Sequence, residues 1–275
     1  MRYGSQAYCI ISGRRDAMLG AIAGDIIGSV YEQHNVLHKQ FTLLSEDAFF
    51  TDDTVLTIAL ADSILNHTPY VENLKRYYHR YPDAGFGGFF KRWACSDDTR
   101  PYNSYGNGSA MRVSPIGFAF DDLDIVLMEA ERSAAVTHNH PEGIKGAQAT
   151  AAAIWLARQR QSKTAIKTYI EETFNYNLDG RLEDIRSTYT YNETCQGSVP
   201  QAIIAFLEST DYEDAIRNAI SIGGDSDTIA CITGGIAEAF YGGIPELIRT
   251  FTTLKLDKQM DEIVRVFYKK YVARV

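Results

Sequence analysis

Two short acidic runs hold the residue types best suited to chemistry, Thr51-Asp52-Asp53-Thr54 and Gly224-Asp225-Ser226-Asp227-Thr228. Each precedes an apolar run with helical spacing, so capping and helix-dipole complementation, worth about 0.3–1 kcal/mol, account for any one of these acids. Asp121-Asp122-Leu123-Asp124 has the same form and is read as a cap alone. The second run differs in its surroundings. Gly223-Gly224 permits a sharp turn, and the helix that follows (Ala230, Gly234, Gly235, Ala237, Ala239) has too few surface-type residues to lie outside the core. Ionised carboxylates gathered within about 4 Å repel one another by more than a helix dipole returns. A hard cation with oxygen ligands resolves this, and a donor set without His or Cys suits Mg²⁺ or Mn²⁺ rather than zinc. Capping and ligation can coexist in the same residue.

Other segments offer weaker signals. Gly20, Gly24 and Gly28, four apart, make a smooth helical face for a close backbone approach, with Asp25 and Glu32 seven apart on nearly one side. Asp25 is evenly balanced between a packed helix acid and a functional one; Glu32, at the helix end beside a loop, favours function. Pro101-Tyr-Asn-Ser-Tyr-Gly-Asn-Gly-Ser-Ala-Met-Arg112 has the form of an anion-cradling loop, although a Gly-Asn-Gly-Ser turn alone is more often a plain loop. His138 and His140, near a helix end, are better read as pocket lining or capping than as ligands. For the aromatic stretch Phe86 to Trp93, core packing is the default.

The elements that must position these residues are helical. Apolar periodicity predicts helices over 17–31, 55–66, 71–78, 123–136, 143–160, 164–174, 199–209, 212–222, 229–241 and 260–272, and the one β-leaning stretch, Gln40 to Leu44, stands alone. An all-α fold follows, a compact single-domain orthogonal bundle over 17–275 whose long loops (96–108 and 178–197) carry function, with 1–16 read as an N-terminal extension. The 275 residues are 45% hydrophobic with net charge −8 and no Lys/Arg-dense stripe, which argues against nucleic acid as main partner. Four widely spaced cysteines suggest reduced thiols in a cytoplasmic protein, and no run approaches the roughly 20 apolar residues of a membrane span.

Taken together, Gly20-Ala-Ile-Ala-Gly-Asp-Ile-Ile-Gly-Ser-Val-Tyr-Glu32, Thr51-Asp-Asp-Thr54, Gly106-Asn-Gly-Ser-Ala-Met-Arg112, Thr137-His-Asn-His-Pro141 and Gly223-Gly-Asp-Ser-Asp-Thr228 resemble the ADP-ribosylglycohydrolase family, in family order and over most of the chain. The resemblance implies a binuclear Mg²⁺ site with Thr51, Asp52, Asp53, Asp225, Asp227 and Thr228 as ligands. It implies an ADP-ribose pocket lined by Tyr105, Asn107, Gly108, Ser109, Ala110, Met111, His138 and His140. The expected reaction is removal of mono-ADP-ribose from a protein or small-molecule acceptor, arginine favoured, by cleavage at ribose C1″. Glu32, or one of Asp52, Asp53 and Asp227, would accept the proton. A monomer is expected, and acceptor choice would reside in the loops 102–107 and 188–196. Serine, nucleic-acid and metabolite acceptors are the alternatives, with a non-catalytic ADP-ribose binder as the reading from another class. An all-α prenyl synthase fails on spacing, because positions 55 and 56 of a would-be Asp-Asp-x-x-Asp are Val and Leu.

Overall fold

The computed structural model describes residues 18–273, and the expected extension 1–16 lies outside them. Among the described residues there are fifteen helices and no strand. In chain order they are α1 (Leu19–Gly28), α2 (Asp52–Asn66), α3 (Tyr70–Arg80), α4 (Gly88–Ala94), α5 (Gly108–Met111), α6 (Ser114–Ala119), α7 (Leu123–Ala135) and α8 (Pro141–Arg158). Then follow α9 (Lys163–Phe174), α10 (Leu182–Thr188), α11 (Cys195–Leu207), α12 (Tyr212–Ile220), α13 (Ser226–Tyr241), α14 (Glu246–Lys255) and α15 (Lys258–Tyr271). None is long and apolar enough to cross a membrane.

The centre is the pair α1 and α13. Every residue of α1 is buried, and α13 is buried from Ser226 to Glu238. Their backbones touch: a Cβ on Gly24 would lie 2.1 Å from the Ala230 carbonyl oxygen, and one on Gly234 would lie 2.1 Å from that of Gly20. The small-residue faces seen in the sequence are therefore one contact. The buried start of α1 has no side-chain cap of its own, and Glu238 supplies one by accepting from Gly20 N at 2.8 Å. α2 lies beside this pair. Its last carbonyls accept from Lys270 Nζ at Leu65 and from Tyr271 Oη at Ile64, which ties α15 over its end.

The expected helices form, with ends shifted by a few residues. α1 stops at Gly28, three residues before the expected Tyr31, in a turn closed by Tyr31 N to Gly28 O at 2.8 Å. α4, α5, α6, α10 and α14 were not expected. Four of these are seven residues or fewer, too short to show a period, and α14 is rich in Thr, a poor helix former. Gln40 to Leu44 is not a strand. Arg217 Nη1 donates to the carbonyls of Lys39 and Phe41 at 2.9 and 3.0 Å, with the guanidinium 5.1 Å from the Phe41 ring centroid, so this backbone is satisfied by a side chain.

Candidate active site and metal centre

Asp25 projects from the middle of α1 to the start of α2. Its carboxylate accepts from Thr51 N (3.0 Å), Thr51 Oγ1 (2.6 Å), Thr54 N (3.1 Å) and Thr54 Oγ1. It is wholly buried and caps α2 from outside that helix. Opposite it, Gly223 and Gly224 adopt φ of 77° and 69°, the left-handed conformation that glycine accepts freely, and swing Asp225 and Asp227 toward Asp53.

These turns gather two overlapping sets of carboxylates. Asp25, Asp53 and Asp227 present oxygens all within 4.8 Å of one another, and so do Glu32, Asp225 and Asp227. Asp227 belongs to both. Burial first, then the neighbouring carboxylates, hold Asp53 and Asp227 well above the ordinary carboxylate range. The same causes push Asp52 up to about 8. Burial raises Asp25 to about 6 against the opposing hydrogen bonds of Thr51 and Thr54. Asp53 Oδ1 is buried with no hydrogen-bond partner, and Thr228 Oγ1 donates to Asp53 Oδ2 at 3.3 Å. An orphaned oxygen, mutually repelling acids and an all-oxygen donor set fit a hard divalent cation.

Sequence reading left Asp25 undecided, yet it sits inside the first set. Asp52 lies in neither set; half-buried, it lines the cavity. The Thr51 hydroxyl donates to Asp25 and accepts from Asp53 N (3.3 Å), which leaves its oxygen one lone pair.

Two loops fix the second set. The Asn35 amide brackets Gly224, donating to its carbonyl at 3.1 Å and accepting from its N–H at 2.8 Å, while also donating to Glu32 O at 3.0 Å. The turn bearing Asp225 is thereby joined to the loop bearing Glu32. On the other side Asn107 Nδ2 donates to Asp225 Oδ2 at 2.6 Å and to Ser198 Oγ at 2.9 Å. An isolated antiparallel bridge between Gly106 and Thr194, extended by Asn107 N to Glu193 O (2.7 Å) and Cys195 N to Tyr105 O (3.0 Å), binds the glycine loop to the 189–194 loop.

Above the acids lies a cavity of about 450 Å³, within the range of small-molecule sites. Of the residues expected to line a ligand pocket, Asn107, Gly108, Met111 and His138 do so. Tyr105, Ser109, Ala110 and His140 do not. Ser109 Oγ turns inward to the Gly143 carbonyl (2.7 Å) and Ala110 is wholly buried. Tyr105 packs outside on His140 (centroids 5.3 Å apart), whose Nδ1 accepts from Glu142 N and caps α8. The loops 102–107 and 188–196, read from the sequence as the seat of acceptor choice, bring Tyr102, Ser104, Tyr191 and Glu193 to the cavity, and Phe89 and Arg112, not expected there, line it as well. In the aromatic stretch Phe86, Phe90 and Trp93 do form core, but Phe89 is 68% exposed at the mouth. Its neighbours Gly87 and Gly88 were the available signal for an irregular, cavity-lining turn.

Residues 12–273 match the family model for ADP-ribosylglycohydrolase. The chain belongs to the ADP-ribosylglycohydrolase family. Relatives include human ADP-ribosylhydrolase ARH3, 28% identical over 84% of this chain and 86% of that one. An uncharacterized protein of Archaeoglobus fulgidus is 29% identical over 94% and 96%. A solved structure described as an ADP-ribosylglycohydrolase-related protein complex shares the fold, with a TM-score of 0.72 at 23% identity over 94% of this chain and 98% of that one. As an ADP-ribosylglycohydrolase the chain is an enzyme, and its substrates are ADP-ribosylated. Its family is metal-dependent, and the two acidic sets could hold such a metal.

Proposed function

We propose that the enzyme is a Mg²⁺-dependent hydrolase that removes mono-ADP-ribose from a modified acceptor by cleaving the glycosidic bond at ribose C1″, with the arginine side chain as favoured acceptor. The observation that carries this reading is the sharing of Asp227 between two carboxylate sets at the floor of one cavity, the arrangement expected for two adjacent divalent ions. When bound, two Mg²⁺ or Mn²⁺ ions supply positive charge that anchors ribose hydroxyls and acidifies a water. Asp25, Asp53, Asp225 and Asp227, with the hydroxyls of Thr51 and Thr228, would hold them, and Asp52 at the cavity wall completes the acidic floor. Glu32 is the proposed proton acceptor. It belongs to the second set and faces the cavity, and Tyr191 Oη lies 3.3 Å from its Oε1. Asn107, Gly108, Met111 and His138 would receive the ADP-ribose half.

In the hydrolysis the C1″–N bond breaks, the water oxygen bonds to C1″, and the proton that water gives up returns to the guanidine nitrogen. Glu32, Asp83 and Glu193 line the cavity, and their negative charge complements a guanidinium. We also place the protein in the cytoplasm as a monomer.

Release of free ADP-ribose from defined mono-ADP-ribosylated arginine and serine peptides, with and without EDTA, tests the reading. Release from arginine peptides, abolished by EDTA and restored by Mg²⁺, is expected. Release from serine but not arginine would overturn the acceptor assignment, EDTA-resistant release the metal assignment, and micromolar binding without release the hydrolase itself.

A further inference from the structure

His138 lines the cavity beside the glycine loop, and its two ring nitrogens have different environments. Nδ1 lies 2.7 Å from Thr137 Oγ1. A Cβ on Gly108 or Gly106 would lie 3.2 or 3.5 Å from Nε2, so the absence of side chains there leaves that edge of the ring open toward the cavity. Thr137 Oγ1 has a second neighbour. The wholly buried Arg112 donates through Nη2 to it at 2.9 Å and to Ser133 O at 3.0 Å.

Proton accounting fixes the first of these bonds. A guanidinium has only donors, so Thr137 Oγ1 must accept from Arg112. A threonine hydroxyl has one proton to give, and the short contact to Nδ1 is where a bare ring nitrogen can take it. Tyr102, whose phenol also faces Thr137, is kept protonated by burial, which pushes it up to about 12, and can donate to the remaining lone pair of Oγ1. With Nδ1 accepting, a neutral imidazole carries its proton on Nε2. We propose that Arg112 and Thr137 are positioning residues that lock His138 in the Nε2–H tautomer, so that it presents a neutral hydrogen-bond donor to an oxygen of the bound ligand. Burial and the Arg112 charge keep the ring neutral, holding its protonation well below the ordinary histidine range.

The ring-nitrogen shifts of ¹⁵N-histidine-labelled protein test this, with the His138 signals assigned by their loss in His138→Gln. Wild type and Thr137→Ser should show a protonated Nε2 and a bare Nδ1. Thr137→Val, which removes the donor hydroxyl, should move His138 toward a mixture of tautomers. A wild-type spectrum with the proton on Nδ1, or a Thr137→Val spectrum unchanged from wild type, would overturn the proposal. Should the valine variant not fold, the wild-type and serine spectra decide alone. The kinetic arm rests on the ADP-ribosyl hydrolase reading. There Thr137→Val should raise KM about tenfold, the scale of one charge-assisted hydrogen bond, with kcat within about twofold and rescue by serine. A fall in kcat with unchanged KM would contradict a ligand-positioning role. If no substrate turns over but the tautomer is as stated, the functional reading fails and the His138 assignment stands.

Discussion

Asp25 and Thr54 lie on different helices, and the Asp25 carboxylate takes both the backbone N–H and the hydroxyl of Thr54. It treats Thr51 in the same way, so one buried acid caps α2 and also belongs to the first carboxylate set. In Asp25→Asn the amide nitrogen costs fewest bonds in place of Oδ1, which accepts only from the Thr51 hydroxyl, while the remaining oxygen keeps the three donors of Oδ2. At about 1.5 kcal/mol for a hydrogen bond to a charged group, a loss of about 1.5 kcal/mol is expected in urea unfolding under EDTA. The rise in melting temperature on adding Mg²⁺ should disappear as well. Unchanged unfolding in EDTA would show that the capping contributes little and that the acid serves the cation alone.

Gly24→Ala tests whether the α1–α13 contact is what holds the two acidic runs together. The new methyl would meet the Ala230 carbonyl, a backbone atom that moves only with its helix. Overpacking of this kind costs about 3 kcal/mol. Because α1 bears Asp25 and α13 bears Asp227, Mg²⁺-induced stabilisation should fall together with stability in thermal melts. Gly87→Ala is the control, since nothing lies within 4 Å of the added carbon and its melting temperature should stay near wild type. Equal effects from both substitutions would remove the special role of the helix pair.

The part of this site legible in the sequence is the part written in local rules. Glycines four apart announce a close helix contact, and acids at the head of a helix made of small residues announce buried charge. The role of Asp25 was not legible in this way, because its donors come from Thr51 and Thr54, 26 and 29 residues further along. Tyr191 and Glu193 reach the cavity through the bridge between Gly106 and Thr194, a pairing of two loops with no periodicity to betray it. Within the glycine loop the sequence could not say which way side chains point. The single turn of α5 sends Ser109 and Ala110 into the core and leaves Asn107, Gly108 and Met111 at the cavity.

Asn35→Ala should loosen metal binding without unfolding the protein. The residue is exposed, yet its amide joins the Gly224 backbone to that of Glu32, so its loss frees the turn that aims Asp225 and Asp227. Groups that orient metal ligands from behind commonly change metal affinity by about 10- to 100-fold. Titration calorimetry with Mn²⁺ should show a weakening of at least about tenfold. The melting temperature under EDTA should change little. Wild-type affinity in the variant would mean that Asn107 and the α13 backbone suffice to aim these carboxylates.

The buried imidazole of His138 makes stability depend on pH in a stated direction. Burial first, then the Arg112 charge, keep it neutral in the folded protein well below the ordinary value of 6.5. The unfolded chain takes up this proton as pH falls through about 6.5 and the folded chain does not, so acid favours unfolding. The contribution is fully present above that pH and is lost on acidification by up to about 1.4 kcal/mol per unit. Raised carboxylates such as Asp52 act in the opposite sense in metal-free protein, so the informative quantity is the difference between wild type and His138→Gln. Under EDTA, wild type should lose about 1 kcal/mol relative to the variant between pH 6.5 and 5.5. Parallel curves would show that the folded protein protonates His138 freely, which the Arg112–Thr137 arrangement opposes.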